Sequence, residues 1–307
     1  MPAPREPEPH PSHPATYQEL LAEGASVPTQ GWDFSWFEGR ATEARPSWGY
    51  AVSMAERLGR ASAVLDLQTG GGEVLDFALA RVAHDATVKN TPDADTHPIS
   101  DADAIAEADA TGQGNAGVAA LKPPLLTLAT EGWPPNVARA TALLRPRGVG
   151  VVAVADDAPL PFADGAFDLV VSRHPVRPQW DETARVLRPG GTYFAQHVGP
   201  GSVFELVEHF LGPQPDDVRS ARHPDRERAD AEAAGLDVVG LRAERLRMEF
   251  HDIGAVVHFL RKVVWMVPGF TVEAYEPQLR ELHERMQAEG PFVAHSTRHL
   301  FDTRKPG

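Results

Sequence analysis

Three carboxylates and a run of glycines carry the chemistry this sequence could do. Asp66 follows the apolar run Ala63-Val64-Leu65, and after Leu67 comes Gln68-Thr69-Gly70-Gly71-Gly72-Glu73. A strand, a glycine turn and a helix place backbone N–H groups at a helix N-terminus, facing whatever lies over the strand's C-terminal edge. Glycine is needed there because a Cβ would block close approach of a ligand or force a strained φ. Glu131 ends a second apolar run, and Asp156 with Asp157 ends a third. In a doubly wound sheet, ligands bind beyond the carboxyl ends of the strands. An acid after the second strand can accept from both hydroxyls of a ribose, and one after the third suits an exocyclic amine such as that of adenine. Any one of these acids alone reads equally as a loop carboxylate or a helix cap. Three in order, on successive strand ends, point to a binding site.

Composition narrows the classes. The chain has 307 residues, a net charge of −14, 42% hydrophobic residues and no cysteine. It has room for one large α/β domain or two small ones, and enough apolar mass for a packed core. The charge argues against a nucleic-acid surface, where a basic face is the usual footprint. The lack of cysteine removes disulfides and Cys-based zinc sites. The N-terminal segment has no apolar h-region, and nowhere do about 18 apolar residues run together, so neither a signal peptide nor a membrane span is expected. The reading is a soluble, cytoplasmic protein of undetermined oligomeric state.

The elements that must position the acids follow from periodicity. Residues 1–14 carry prolines at 2, 4, 7, 9, 11 and 14 and read as a disordered tail. Residues 15–61 form an N-terminal extension with a short helix over 17–22 and an aromatic group: Trp32, Phe34, Trp36, Phe37, Trp48 and Tyr50. These either pack the extension onto the sheet or lid a pocket. Ser47 reads as the N-cap of a helix over 48–60. The main domain spans 62–307. Its first helix covers 73–82, and residues 83–120, rich in Asp, Ala, Thr and Gly, read as a flexible acidic insertion. Strands are expected over 125–131, 149–154, 167–172 and 192–197, with helices over 134–144 and 180–187. Ser202 reads as the cap of a helix over 203–211, and 213–224 as loop. Further helices fall at 225–234, 253–265 and 272–288, with strands in 236–250 and 292–303. This alternation predicts an α/β fold with a parallel sheet and helices on both faces. The last two strands are candidates for an antiparallel edge.

Four stretches make a resemblance specific: 64–73 (VLDLQTGGGE), 129–133 (ATEGW), 156–170 (DDAPLPFADGAFDLV) and 186–192 (VLRPGGT). Together they resemble the class I S-adenosylmethionine-dependent methyltransferases of the type 11 methyltransferase-domain kind, over residues 62–198 with the insertion as an interruption. The resemblance implies a doubly wound, mostly parallel seven-stranded sheet, Rossmann-like, with helical N- and C-terminal additions. It implies S-adenosylmethionine as cofactor. Asp66, Gln68, Gly70 and Gly72 would then line its methionine end, Glu131 would hold the ribose with Trp133 against the adenine, and Asp156 with Asp157 would meet the adenine ring. Gln68 stands where the family's first glycine is expected. Asp66 and Glu131 are 65 residues apart, where about 20 is usual, and the insertion accounts for the excess.

Methyl transfer is a displacement at a sulfonium carbon, for which the protein supplies geometry and water exclusion. A base is needed only if the acceptor must lose a proton. His174, just past the fourth strand, and His197, at the end of the fifth, are the candidates, both placed where the pocket should open; each reads equally as a loop or capping histidine. The remaining histidines show no metal-ligand spacing, and no metal is expected. The segment 199–290 reads as substrate-side additions, and its run over 252–270 is too apolar for one helix face, so it packs over the sheet or roofs the pocket. Arg261 and Lys262 read as surface charges. The partner expected is a small-molecule methyl acceptor. RNA or protein methylation, a catalytically silent cofactor-binding protein and a nicotinamide dehydrogenase are the competing readings.

Overall fold

The computed structural model describes residues 15–29, 34–88 and 122–307. Trp32, the proline-rich segment 1–14 and most of the acidic insertion lie outside the described residues.

In chain order the elements are α1 (Tyr17–Ser26), β1 (Ala41–Glu43), α2 (Tyr50–Leu58), β2 (Ala63–Leu67), α3 (Glu73–Val88), β3 (Leu126–Glu131), α4 (Pro134–Leu144), β4 (Gly150–Ala153) and β5 (Phe167–Arg173). Then follow α5 (Trp180–Val186), β6 (Leu187–Val198), α6 (Phe204–Leu211), α7 (Asp216–Arg219), α8 (Pro224–Ala233), β7 (Asp237–Phe250), α9 (Ile253–Lys262), α10 (Glu276–Glu289) and β8 (Phe292–Arg304). All eight strands form one sheet in the order β1-β7-β8-β6-β5-β2-β3-β4. Strands β4, β3, β2, β5 and β6 are parallel neighbours. β8 runs antiparallel between β6 and β7, so β7 points the same way as β6.

Alternation along β2 explains the layers. Val64 and Leu65 point to opposite faces, and each meets its own core. Val64, Leu169, Val171 and Phe194 pack under α2, α3 and α4. Leu65, Val170, Tyr193, Ala195 and Phe301 pack under α5 and α8. A third core joins α1, α6, α9 and α10 to the ends of β7 and β8. α9 is its centre, apolar nearly all round, which is why the run 252–270 has no polar face. Gly24 and Gly254 let α1 and α9 cross closely: a Cβ on Gly24 would lie 2.3 Å from the Gly254 carbonyl oxygen. Arg261 donates to the Gly24 and Val27 carbonyls and so caps the end of α1, while Lys262 is buried.

Several local expectations are corrected. The sheet has eight strands, not seven, because the extension contributes β1 as well as helices. β1 pairs antiparallel with the edge of β7, Ala41 opposite Phe250, and so covers N–H and C=O groups that a sheet edge leaves open. α1 continues to Ser26, started by a capping box between Thr16 and Glu19. α3 continues to Val88, six residues into the stretch read as insertion. Ser47 is no cap. Gly49, in the left-handed region, occupies that position, and Ser47 instead bonds Glu244 and Arg242 on β7. Ser202 likewise accepts from the Thr297 amide rather than capping α6, whose N-cap is Val203. A short helix, α7, interrupts the loop 213–224. Among the described residues no helix is long and apolar enough to cross a membrane.

Candidate functional site at the strand tips

The glycine turn joins β2 to α3 and is tied to β3. The Thr69 amide donates to the Thr130 carbonyl at 2.9 Å, and the Gln68 amide to Thr130 Oγ1 at 3.2 Å. Gly70 (φ 65°) and Gly72 (φ 89°) take left-handed conformations, as does Gln68 (φ 55°). The first position of the turn thus keeps the backbone that glycine takes, at a cost of about 1 kcal/mol for a residue with a Cβ. The Gln68 side chain does not project into the turn. Its Oε1 accepts from the Val176 amide at 2.6 Å, and its Nε2 donates to the Arg177 carbonyl at 2.9 Å. Gln68 therefore laces the β2 turn to the loop after β5.

Asp66 and Glu131 end neighbouring strands at this turn, both buried. Thr69 donates to Asp66 at 2.6 Å. Glu131 accepts from the Gly70 amide at 2.8 Å and from the Trp133 amide at 3.0 Å. Burial pushes the Asp66 carboxyl up to about 7; the Thr69 bond opposes this and the Glu131 charge adds to it. Neither acid makes an ion pair among the described residues. Asp156, half-buried after β4, is also raised, by burial and then by Asp157, which is exposed. Gly132 allows the β3 and β4 tips to meet, since a Cβ there would lie 3.0 Å from the Asp156 carboxylate and from the Val154 carbonyl. Trp133 stands half-exposed beside them.

Three further side chains, not singled out in the sequence, complete the arrangement. Thr130 anchors the turn, as above. Gln179 donates to the Asp156 and Ala158 carbonyls, both at 3.0 Å, and so joins the loop after β5 to the loop after β4. Gln196 on β6 contacts His174 at 2.8 Å and accepts from the Trp48 indole at 2.6 Å. Their partners lie far away in sequence, so spacing alone does not mark them.

The two histidines have different surroundings. His174 (φ 58°) follows β5 and is half-buried, with its amide bonded to the Gln196 carbonyl at 2.6 Å. His197 was expected to face the opening, and it is instead 1% exposed. Its Nε2 meets the Tyr193 hydroxyl at 2.9 Å and its Nδ1 meets Glu227 at 3.0 Å. Trp180 of α5 and Glu227 of α8 lie over the ring, and β8 sets His299 opposite His197. Burial pushes Glu227 up, but the bonds and charges of His197 and His299 outweigh it and hold the carboxyl down at about 2. Tyr193 is held above its ordinary value, chiefly by burial.

Trp48 and Tyr50 belong to the sheet packing, Tyr50 stacked on Phe194 with ring centres 5.2 Å apart. Trp36 and Phe37 pack around His258 in the α9 core. A separate cleft of about 410 Å³ lies between α1 and residues 270–273, and none of the strand-tip acids lines it. Among the described residues no group of three or more His, Cys, Asp or Glu side chains is placed to hold a metal ion.

Residues 110–195 match a family profile described as a methyltransferase domain. Among solved structures, the chain is similar to a presumed methyltransferase of Bacillus halodurans, with 18% identity, a TM-score of 0.51, and 84% of this chain and 99% of that one covered. It is also similar to the YcgJ protein of Bacillus subtilis, with 14% identity, a TM-score of 0.47 and coverage of 84% and 98%. A third is a Haemonchus contortus phosphoethanolamine N-methyltransferase bound to phosphomonomethylethanolamine and S-adenosylhomocysteine, with 14% identity, a TM-score of 0.44 and coverage of 95% and 61%. No curated protein is close enough to count as a match. At such identities the solved structures speak to the fold alone. Residues 110–195 thus match a methyltransferase-domain profile, within a fold similar to that of the Bacillus halodurans protein. The profile begins after the glycine turn, and β2 and β3 pair in parallel, Asp66 opposite Ala129, to bring that turn back beside it.

Proposed function

We propose that the protein binds S-adenosylmethionine over the tips of β2, β3 and β4 and transfers its methyl group to a small-molecule acceptor. One observation carries the reading. Asp66 and Glu131 are two buried acids at the ends of neighbouring strands, without an ion-pair partner among the described residues, next to a glycine turn. Like charges so placed are costly unless a ligand brings positive charge and hydroxyl donors. S-adenosylmethionine brings both, and when bound it supplies an activated methyl at a sulfonium.

The protein's own part is to bind and to orient. Asp66, beside the glycine turn, receives the amino-acid end. Glu131, fixed by the Gly70 and Trp133 amides, keeps lone pairs for two ribose hydroxyls. Asp156 accepts from the adenine amine, with Asp157 beside it, and Trp133 covers the ring. Gln68 and Gln179 hold the three loops in one arrangement, the kind of pre-positioning that lowers a displacement barrier. The net charge of −14 favours a small acceptor over RNA.

Calorimetry with S-adenosylmethionine and S-adenosylhomocysteine tests the reading. Both bind wild type, and Asp66→Asn and Glu131→Gln each weaken binding by about tenfold or more, the size of one lost charged hydrogen bond. No heat with either nucleoside overturns it. Labelled-methyl transfer into a metabolite extract then tests turnover, and binding without any labelled product would leave a non-transferring cofactor binder.

A further inference from the structure

His174 looks at first like a base at the mouth of the site, but its neighbours constrain which proton it can hold. The Trp48 indole nitrogen can only donate. The Gln196 atom it meets at 2.6 Å is therefore the amide oxygen. That leaves the amide nitrogen, which only donates, facing His174 Nε2 at 2.8 Å. Nε2 must accept, so it carries no proton, and the single ring proton sits on Nδ1. An imidazolium would set N–H against N–H across the same contact. Gln196 is 1% exposed and Trp48 7%, so no water competes for this chain of bonds. Burial first, then the charges of Arg298, Arg173, His197 and Arg222, hold the ring well below the usual imidazole value, in agreement with a neutral ring. Nδ1 bonds no protein atom among the described residues, and the residue as a whole is half-buried.

We infer that Trp48 and Gln196 are positioning residues that lock His174 as the neutral Nδ1–H tautomer, so that His174 meets the methyl acceptor as a hydrogen-bond donor and not as a proton-accepting base. The inference rests on the reading of the strand tips as a methyl-transfer site. Its consequence is for the acceptor, which presents a lone pair at His174 and brings its attacking atom already able to react, an amine or an ionised group. An acceptor that must lose a proton has to give it to water or to another residue.

The tautomer is readable in the full-length protein without cofactor. In a chain labelled with ¹⁵N-histidine, long-range proton–nitrogen correlations assigned with His174→Asn show a bare Nε2 and a protonated Nδ1, with no titration at the usual imidazole pH. Gln196→Glu keeps the shape and the bond to Trp48 but turns the donor into an acceptor. His174 then moves its proton to Nε2, or takes a second one, and begins to titrate at higher pH. Trp48→Phe frees the amide to flip, giving a mixture of the two tautomers. A protonated Nε2 in wild type, or a Gln196→Glu spectrum unchanged from wild type, overturns the inference. Because these spectra need no nucleoside, such a result leaves the transferase reading standing, whereas absent nucleoside binding sinks that reading alone.

Discussion

The Glu131 carboxylate accepts the Gly70 amide at 2.8 Å across 61 residues of sequence. This one bond closes the site over the acidic insertion, because its other oxygen takes the Trp133 amide at 3.0 Å and so locks both strand tips to one acid.

Glu131→Gln tests that clamp. A glutamine has one oxygen, so one of the two amides faces an NH₂ group and loses its acceptor, which costs about 1–3 kcal/mol for a buried donor. One of the Gly70 and Trp133 amides exchanges faster with deuterium than in wild type, with little change at β7 and β8. Exchange unchanged from wild type at both amides would mean that the clamp holds nothing.

How much of this was legible depended on whether the signal is local. Gly70 and Gly72 could be read because only glycine takes a left-handed turn there without cost, and both do so. Pro134 at the start of α4 could be read for the same kind of reason. Ser47 and Ser202 misled because capping is a local preference of about 1 kcal/mol, and the Arg242 side chain on β7 and the Thr297 amide on β8 compete for the same hydroxyls. Gln196 was invisible because its worth lies in Trp48, 148 residues away. β1 was invisible because three residues carry no period, and it forms only where the β7 edge offers a partner.

Gly72→Ala probes the turn from the other side. At φ 89° a Cβ is disfavoured on its own, and it would also lie 2.9 Å from Leu144 Cδ1 at the end of α4. The variant unfolds about 2 kcal/mol more easily, seen as a lower urea midpoint with an unchanged slope. Gly148 also has a positive φ, 76°, but nothing lies within 4 Å of its added Cβ, so Gly148→Ala is the milder change. Equal losses for the two would remove the Leu144 contact from the account.

Glu227 makes the protein acid-sensitive. Its folded carboxyl sits at about 2 against an ordinary 4.5, so its contribution is complete above about pH 4.5 and disappears as pH falls towards 2. The contribution is on the order of 3 kcal/mol. Glu227→Gln is therefore less stable than wild type at pH 7, and the gap narrows in urea melts carried down to pH 3. A gap that stays constant with pH would mean that the His197 contact holds a protonated acid.

Asp66 has the opposite sign. Its carboxyl is raised from 3.8 to about 7, so its ionised form costs stability, and wild type without ligand loses stability as pH rises across that window. Asp66→Asn removes this slope and is the more stable protein at pH 8 when no ligand is bound. Binding of a cation reverses the preference, since positive charge beside Asp66 favours the carboxylate. At pH 6.5, where the acid is largely protonated, S-adenosylmethionine binding then releases a sizeable fraction of one proton, and at pH 8.5 it releases almost none. Calorimetry in buffers of different ionisation enthalpy counts that proton directly. Wild type shows a buffer-dependent heat at pH 6.5 and Asp66→Asn shows none. A heat independent of buffer in wild type would mean that Asp66 is already charged, and that the buried acids hold no proton for a cation to displace.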